Sequence, residues 1–466
     1  MTLRRLLHGA SPPIPVTPRM LRNLRTLSVA TLLGLAGVTV AHAGDLSGYI
    51  QAGVAVRTDQ GDVIFNRQLI NGKYRHKVNR TLSFRVETDF YHDRPDFFDG
   101  SRFKARLREG YAKLRFKNAD LRVGRVQINW GDIEGFILAD QVSPFDLEYF
   151  ILPEFDEIRL GVDGAFLDYY FTTEYKLQLL WIGQFAAADF APRGSPFDPF
   201  RIDTIADTLP PPLTLERTAN AEPPRTFENS EAGIRLSGNT RAADWQVGYL
   251  YSFDDIGFFN IREDPNDPLT FLATLTHERF HLFIANLVVP VKSVLVRVEA
   301  AFNKDRKFNV FPTTLGVPGA PPPPPGLAVT RDPFAVAGVF EFKPNLAWLQ
   351  NGDMMFQVIH DRIFDPAPGL ARSDDVVYLS ARVNASYRNE TIKPRLFTIA
   401  NTKGADMWVQ AHVDWEPIDH WRFSLEYDFF DGHPYRGFLP GSNDAGGIYG
   451  QFDRNDLFAI SARYSF

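Results

Sequence analysis

The last ten residues of the chain alternate strictly. In 457–466, Phe458, Ile460, Ala462, Tyr464 and Phe466 fall on one face, and Ala459, Ser461, Arg463 and Ser465 fall on the other. Successive side chains of a strand point to opposite sides, so this segment has one apolar and one polar surface. The pattern recurs. Over 82–90, Leu82, Phe84, Val86, Thr88 and Phe90 oppose Ser83, Arg85, Glu87 and Asp89. Over 421–429, Trp421, Phe423, Leu425, Tyr427 and Phe429 oppose Arg422, Ser424, Glu426 and Asp428. In water such strands must cover the apolar face, as a sandwich does. In lipid that face is already solvated and the charges turn inward into a closed barrel.

The N-terminus favours the second solution. Residues 1–43 carry Arg4, Arg5, Arg19, Arg22 and Arg25 and no acid. The stretch 26–43 is uncharged, has its apolar centre at 32–40 and ends Ala41-His42-Ala43. A basic start, a short apolar core and a small-residue cleavage site predict a secretory signal peptide, with the barrel over 44–466. The apolar centre is short for a transmembrane anchor. Met20 by itself begins a conventional-looking signal, which leaves the start open between Met1 and Met20. Beyond the signal the chain holds 45 basic and 56 acidic residues, a formal charge of −11. That balance argues against a nucleic-acid partner. Zero cysteines remove disulfides, thiolate metal sites and attached c-type haem. No run of apolar residues other than 32–40 suits a helical membrane protein.

Eighteen segments read as strands, from 45–57 to 457–466, joined alternately by short turns and longer loops. The short connections are the even-numbered ones, such as Asn118 and Thr172-Thr173. Most odd-numbered ones are long: 92–102, 130–157, 185–229, 254–276, 304–331 and 431–456. The weakest strand is 62–70, which contains Asn66 and Arg67. Without it the count is an odd 17, and 16 is the alternative if two weak strands fail. Proline-rich stretches at 190–228 and 321–325 read as extended surface loops. The expected fold is a single all-β, antiparallel, up-and-down transmembrane barrel. Trp408, Trp415, Trp421 and Tyr464 are expected in its aromatic girdles. His277 and His281, an even number apart, are expected to face the lumen as polar filler.

Two features point to function. Residues 102–125 contain nine basic residues against Glu109 and Asp120. Lys104, Arg106 and Arg108 form one ladder, and Lys113, Arg115 and Lys117 another of opposite parity. A bulge near Gly110 would turn both into the lumen, where they would attract anions unless lumen acids pair with them. Arg125 extends the basic set. Immediately downstream, 130–157 is too apolar for a loop in water and is expected to fold back as a constriction. It carries Trp130, Gly131, Asp132, Asp140, Pro144 and Asp146.

The motif Gly124-Arg125, then Trp130-Gly131-Asp132, then Asp140 with Pro144, Asp146 and Leu147 resembles that of a poorly characterised group of large porin-like outer-membrane barrels. The group is similar in outline to alginate-export barrels. The match departs at Val126, where a Gln is usual and Gln127 follows one place late. The terminal Tyr464 and Phe466 likewise resemble the closing strand of such barrels, which implies recognition by the barrel-assembly machinery. The resemblance implies a Gram-negative outer-membrane channel, bedded in outer-membrane lipid, with no catalytic residue, metal or cofactor. The expected activity is passive passage of solutes, with an anionic solute or polysaccharide as cargo. Two other readings stay open: a barrel-borne outer-membrane enzyme, and a plugged barrel serving an export or uptake complex. No G-x-S-x-G, H-E-x-x-H or P-loop supports the enzyme.

Overall fold

The structure, a computed structural model, describes residues 44–97, 100–153, 155–200, 211–310, 324–403, 406–432 and 447–466. The signal segment, most of the proline run 321–325 and most of 431–456 lie outside the described residues. One antiparallel sheet closes on itself as an 18-strand barrel. Its first strands are β1 (Asp45–Arg57), β2 (Val63–Lys77), β3 (Leu82–Asp93), β4 (Arg102–Arg115), β5 (Ala119–Val126) and β6 (Val162–Tyr170). Next come β7 (Tyr175–Ile182), β8 (Glu231–Asn239), β9 (Asp244–Phe253), β10 (Arg279–Val291), β11 (Val294–Lys304) and β12 (Ala328–Phe342). The last are β13 (Asp353–Phe364), β14 (Asp375–Asn384), β15 (Ile392–Asn401), β16 (Met407–Trp415), β17 (Trp421–Asp431) and β18 (Leu457–Ser465). A short strand, Arg306–Asn309, prolongs β11 along β12. The uncertain segment 62–70 is a full strand, paired with β1 and β3.

Closure follows from the terminal strand. β18 pairs with β1 from Tyr49 opposite Ser465 to Arg57 opposite Leu457. Phe466 exchanges both backbone hydrogen bonds with Gly48, each 3.0 Å. Among the described residues the barrel sheet has no open edge, which removes the edge a lipid phase cannot tolerate. The faces sort as expected in β3. Phe84, Val86 and Phe90 stand outside at 41–44% exposure, while Glu87, Asp89 and Asp93 inside are 5% exposed or less. Trp415, Trp421 and Tyr464 lie outside near the short-turn rim, the last two with ring centroids 5.2 Å apart.

Two expectations fail. Trp408 is not in a girdle but buried inside, its indole N–H donating to Asp428 at 2.9 Å. In β10 the parity is reversed. Phe280, Leu282 and Ile284 point inward and are buried, while His281 bonds the Tyr249 hydroxyl at 2.8 Å on the outer side, where Phe283 is exposed. His277 precedes the strand and bonds the Asp254 carbonyl at 2.7 Å. The cause is that this lumen contains an apolar core. Trp130, Leu138, Val142, Phe145 and Ile151 pack there against Phe166, Leu282, Ile359 and Phe397 of the wall. Both faces of β10 are rich in apolar residues, so alternation there does not say which is inside; in β16 Trp408 shares its face with Gln410, His412 and Asp414, and period two alone places it inside.

The long odd-numbered connections gather at one end. There strand Thr214–Arg217 adds to a hairpin of Phe258–Asp264 and Asp267–Thr276. Leu215, Phe259, Ile261, Ala273, Leu275 and Leu327 form its own small core. This sheet is carried by the connections after β7 and β9.

Candidate functional site

The connection between β5 and β6 enters the barrel. It runs over 127–161, longer at both ends than the expected 130–157. Residues 127–129 continue the strand pattern in sequence, but their hydrogen bonds go elsewhere: the Ile128 N–H donates to Ser143 Oγ at 2.9 Å within the segment itself. The segment is anchored around the wall. Trp130 donates its indole N–H to Gln178 of β7 at 2.9 Å, and its carbonyl accepts from Gln246 of β9 and Asn286 of β10 at 2.7 and 3.0 Å. The Glu134 carbonyl accepts from Gln357 of β13 at 2.6 Å, and its carboxylate pairs with Arg382 of β14 at 2.5 Å. Tyr149 donates to Asp93 of β3 at 2.5 Å, and Glu157 pairs with Arg463 of β18 at 2.6 Å.

The strongest clamp is Glu299 of β11. Its two carboxylate oxygens accept the backbone N–H groups of Asp132 and Ala139 at 2.8 and 2.9 Å, and the Asn286 amide at 3.2 Å. This pinches the tight turn 132–139 against the wall and explains the motif glycines. A Cβ at position 131 would lie 2.7 Å from Glu299 Oε1 and 2.8 Å from the Asp140 backbone nitrogen. Gly135 has φ +74°, and a Cβ there would meet the Phe397 ring at 2.6 Å. Only glycine fits both places.

The other motif residues divide by role. Asp140 is buried, accepts the Trp130 N–H at 3.1 Å and pairs with Arg159 at 2.6 Å. Burial pushes its carboxyl up to about 6, against the pull of Arg159. Asp132 has its side chain exposed beside a polar cavity. Pro144 is buried and its carbonyl accepts the Leu160 N–H at 2.8 Å. Asp146 pairs with Arg106. Burial by itself would raise the Asp146 carboxyl, but Arg106 and then Lys104 outweigh it and hold it below the ordinary range.

Apart from Lys117, the basic residues of the two ladders and Arg125 are paired with acids. The β3–β4 register shifts so that Arg108 is the extra residue, two places before Gly110. This bulge turns Lys104, Arg106 and Lys113 to the same side, as both ladders require. Lys104 lies 3.1 Å from Asp189, Arg106 2.5 Å from Asp189, and Arg108 3.1 Å from Asp89. Arg108 also donates to the carbonyls of Asp156 and Glu157 in the lumen segment. Lys113 and Arg115 share Asp120 at 2.8 and 3.4 Å, and Arg125 pairs with Asp163 at 2.5 Å. Lys117 is not on the strand at all; it is exposed in the short turn after β4.

The lumen segment divides the interior. Gly135, Phe136, Ile137, Leu138, Asp140 and Ile151 line two cavities at once. One, of about 500 Å³, is largely aromatic and is walled by the long connections. The other, of about 360 Å³, carries Asp132, Glu134, Asp156, Arg159, Glu299, Arg382 and Arg395. Sequence reasoning found the segment and its motif but missed its receptors: Glu299, Gln178, Gln246, Asn286, Gln357 and Arg382. Each is a polar residue on a strand face that otherwise reads apolar or mixed. An acid between Val298 and Ala300 was the one readable signal.

A closed antiparallel barrel of 18 strands, apolar outside and with one connection folded into its lumen, is a porin-like barrel of the outer-membrane type. Residues 61–332, the stretch that includes the lumen segment and Glu299, match a family described as "Protein of unknown function (DUF1302)", and the chain belongs to that family. Among solved structures, OccK8 (OprE) of Pseudomonas aeruginosa is similar with a TM-score of 0.51 at 9% identity, over 91% of this chain and 98% of that one. The outer membrane protein opdK of Pseudomonas aeruginosa gives 0.50 at 9% identity, over 90% and 98%. At such identity the likeness is one of fold. No curated protein sequence matches the chain. The likeness to alginate-export barrels stays an expectation of the motif.

Proposed function

We propose that this protein is a Gram-negative outer-membrane channel for passive passage of small solutes, and that segment 127–161 is its constriction. The observation that carries the reading is the partition: one stretch of chain, clamped by Glu299, separates two cavities of a closed barrel. The basic run serves this constriction chiefly as its anchor. Lys104, Arg106 and Arg108 each contact acids or carbonyls of the connections that fill the lumen. Paired cations attract anions far less than free ones, so the channel is expected to be narrow and weakly selective by charge, and the anionic cargo expected from the ladder loses its main support. The plugged-barrel reading has an observation of its own in the partition, and one experiment separates the two. The mature protein is reconstituted in a planar bilayer, and conductance and reversal potential are recorded in a salt gradient. Small, steady conductance supports the channel. Silence from folded protein that persists after the clamp is broken (Glu299→Gln) supports the plug.

A further inference from the structure

We infer that the cavity on the long-connection side of the partition is a binding site for an uncharged, largely apolar molecule that carries a hydroxyl group. This assigns a cargo class to the channel proposed above and rests on that reading for its meaning in transport. The binding site itself stands on the following observations.

Eleven of the chain's 40 phenylalanines line this cavity of about 500 Å³. Phe136, Phe150, Phe190, Phe200 and Phe308 are only partly buried, so their rings are open to its interior. The volume and the aromatic lining fit a small-molecule pocket, in which a few placed polar groups fix orientation. Most of the charges around it are paired, and the Asp255 carboxyl, which also lines it, is pushed up towards its neutral form by burial and by the nearby Glu231 and Asp254. Arg306 holds Asp254 through two bonds of 2.7 and 2.8 Å, Arg372 pairs with Asp361, and Asp140 pairs with Arg159. An anion entering would give up its water without a free cation to meet it, which is costly; an uncharged molecule has no such cost.

Among the described lining residues, one fully buried polar atom lacks a partner. Asn303 of β11 points into the cavity, is 5% exposed, and its side-chain carbonyl oxygen has no hydrogen-bond partner. Buried amide oxygens are almost always satisfied. In an aromatic cavity this oxygen is a receptor for a hydroxyl donor. The same cavity is closed from the polar one by Phe136, Ile137 and Leu138, so a bound molecule would rest against the constriction.

The test uses the full mature protein in detergent, titrated with 2-naphthol, naphthalene and 2-naphthalenesulfonate, and read by tryptophan fluorescence after subtraction of non-saturable partition into micelles. Saturable binding of 2-naphthol is expected, with the sulfonate at least about tenfold weaker. Asn303→Leu should weaken 2-naphthol by about fivefold, the worth of one hydrogen bond, and leave naphthalene unchanged. Ile256→Asp, at an exposed position on the rim, and Ala371→Trp should weaken both neutral probes. Three results would overturn the site: no saturable component in folded protein, a sulfonate that binds as well as the naphthol, or an Asn303→Leu variant that loses both neutral probes equally. Conductance measured on the same preparation keeps the two proposals apart. Protein that conducts without binding refutes only the site, and protein that binds without conducting refutes only the channel.

Discussion

Glu299→Gln is the most informative single change. The wild-type carboxylate offers one oxygen to the Asp132 N–H and the other to the Ala139 N–H. Glutamine keeps the shape but replaces one oxygen by an NH2 group, which cannot accept. One backbone N–H of the turn is then left facing a donor in a buried place, at a cost of about 1–3 kcal/mol. That energy falls on docking of the segment, because the β10–β11 and β11–β12 ladders are main-chain bonds that the substitution does not touch. At about 1.4 kcal/mol per factor of ten, docking weakens roughly 5- to 150-fold. The assay is single-channel recording beside limited proteolysis of 127–161, with heat-modifiable migration on gels as the check that the barrel is intact. More frequent or larger openings and faster cleavage are expected. An intact barrel with conductance and cleavage within twofold of wild type would refute the clamp.

Four further outcomes follow from the same geometry. Gly131→Ala forces a methyl to 2.7 Å from Glu299 Oε1 and should cost about 1–3 kcal/mol of docking, visible as the same opening phenotype. Arg106→Ala together with Asp146→Ala removes one cation and its paired acid; conductance should rise with the reversal potential nearly unchanged, whereas a clear loss of anion selectivity would restore the free-ladder reading. The pH dependence has two limbs. Asp140 titrates near 6 in the docked segment, above the ordinary value of about 4, so docking takes up a proton and opening should decrease from pH 7 to 5. Asp146 is held below its ordinary value, so its anchoring persists above about pH 4 and is lost in stronger acid, and openings should return there; Asp140→Asn should weaken the first limb and leave the second. Deleting Phe466 removes both Gly48 bonds at the barrel seam and should lower the yield of heat-modifiable, membrane-inserted protein.

The clamp also shows where legibility in the sequence stops. The motif from Arg125 to Asp146 was visible because glycine, tryptophan and acids stand close together in the chain. Its receptors lie as far as 314 residues away, as in Tyr449 to Gly135, and none is marked by its neighbours. The parity of Arg106 and Arg108 is readable in the sequence, but whether they meet anions or acids depends on where Asp146, Asp189 and Asp89 are carried by other parts of the chain.

What the sequence by itself determined is the wall. Alternation with period two, strong in β3, β17 and β18, specifies strands with one lipid-compatible face, and the rhythm of short and long connections specifies their order. Those signals are local, set by neighbours two residues apart, so they survive without knowledge of the rest of the chain. Only the tertiary structure decided what fills the wall. Phe280 and Leu282 face inward because segment 127–161 brings its own apolar surface into the lumen, and periodicity cannot distinguish lipid from a packed interior when both are apolar. The partition, its clamp at Glu299 and the unpartnered Asn303 exist only once strands far apart in sequence close into one barrel.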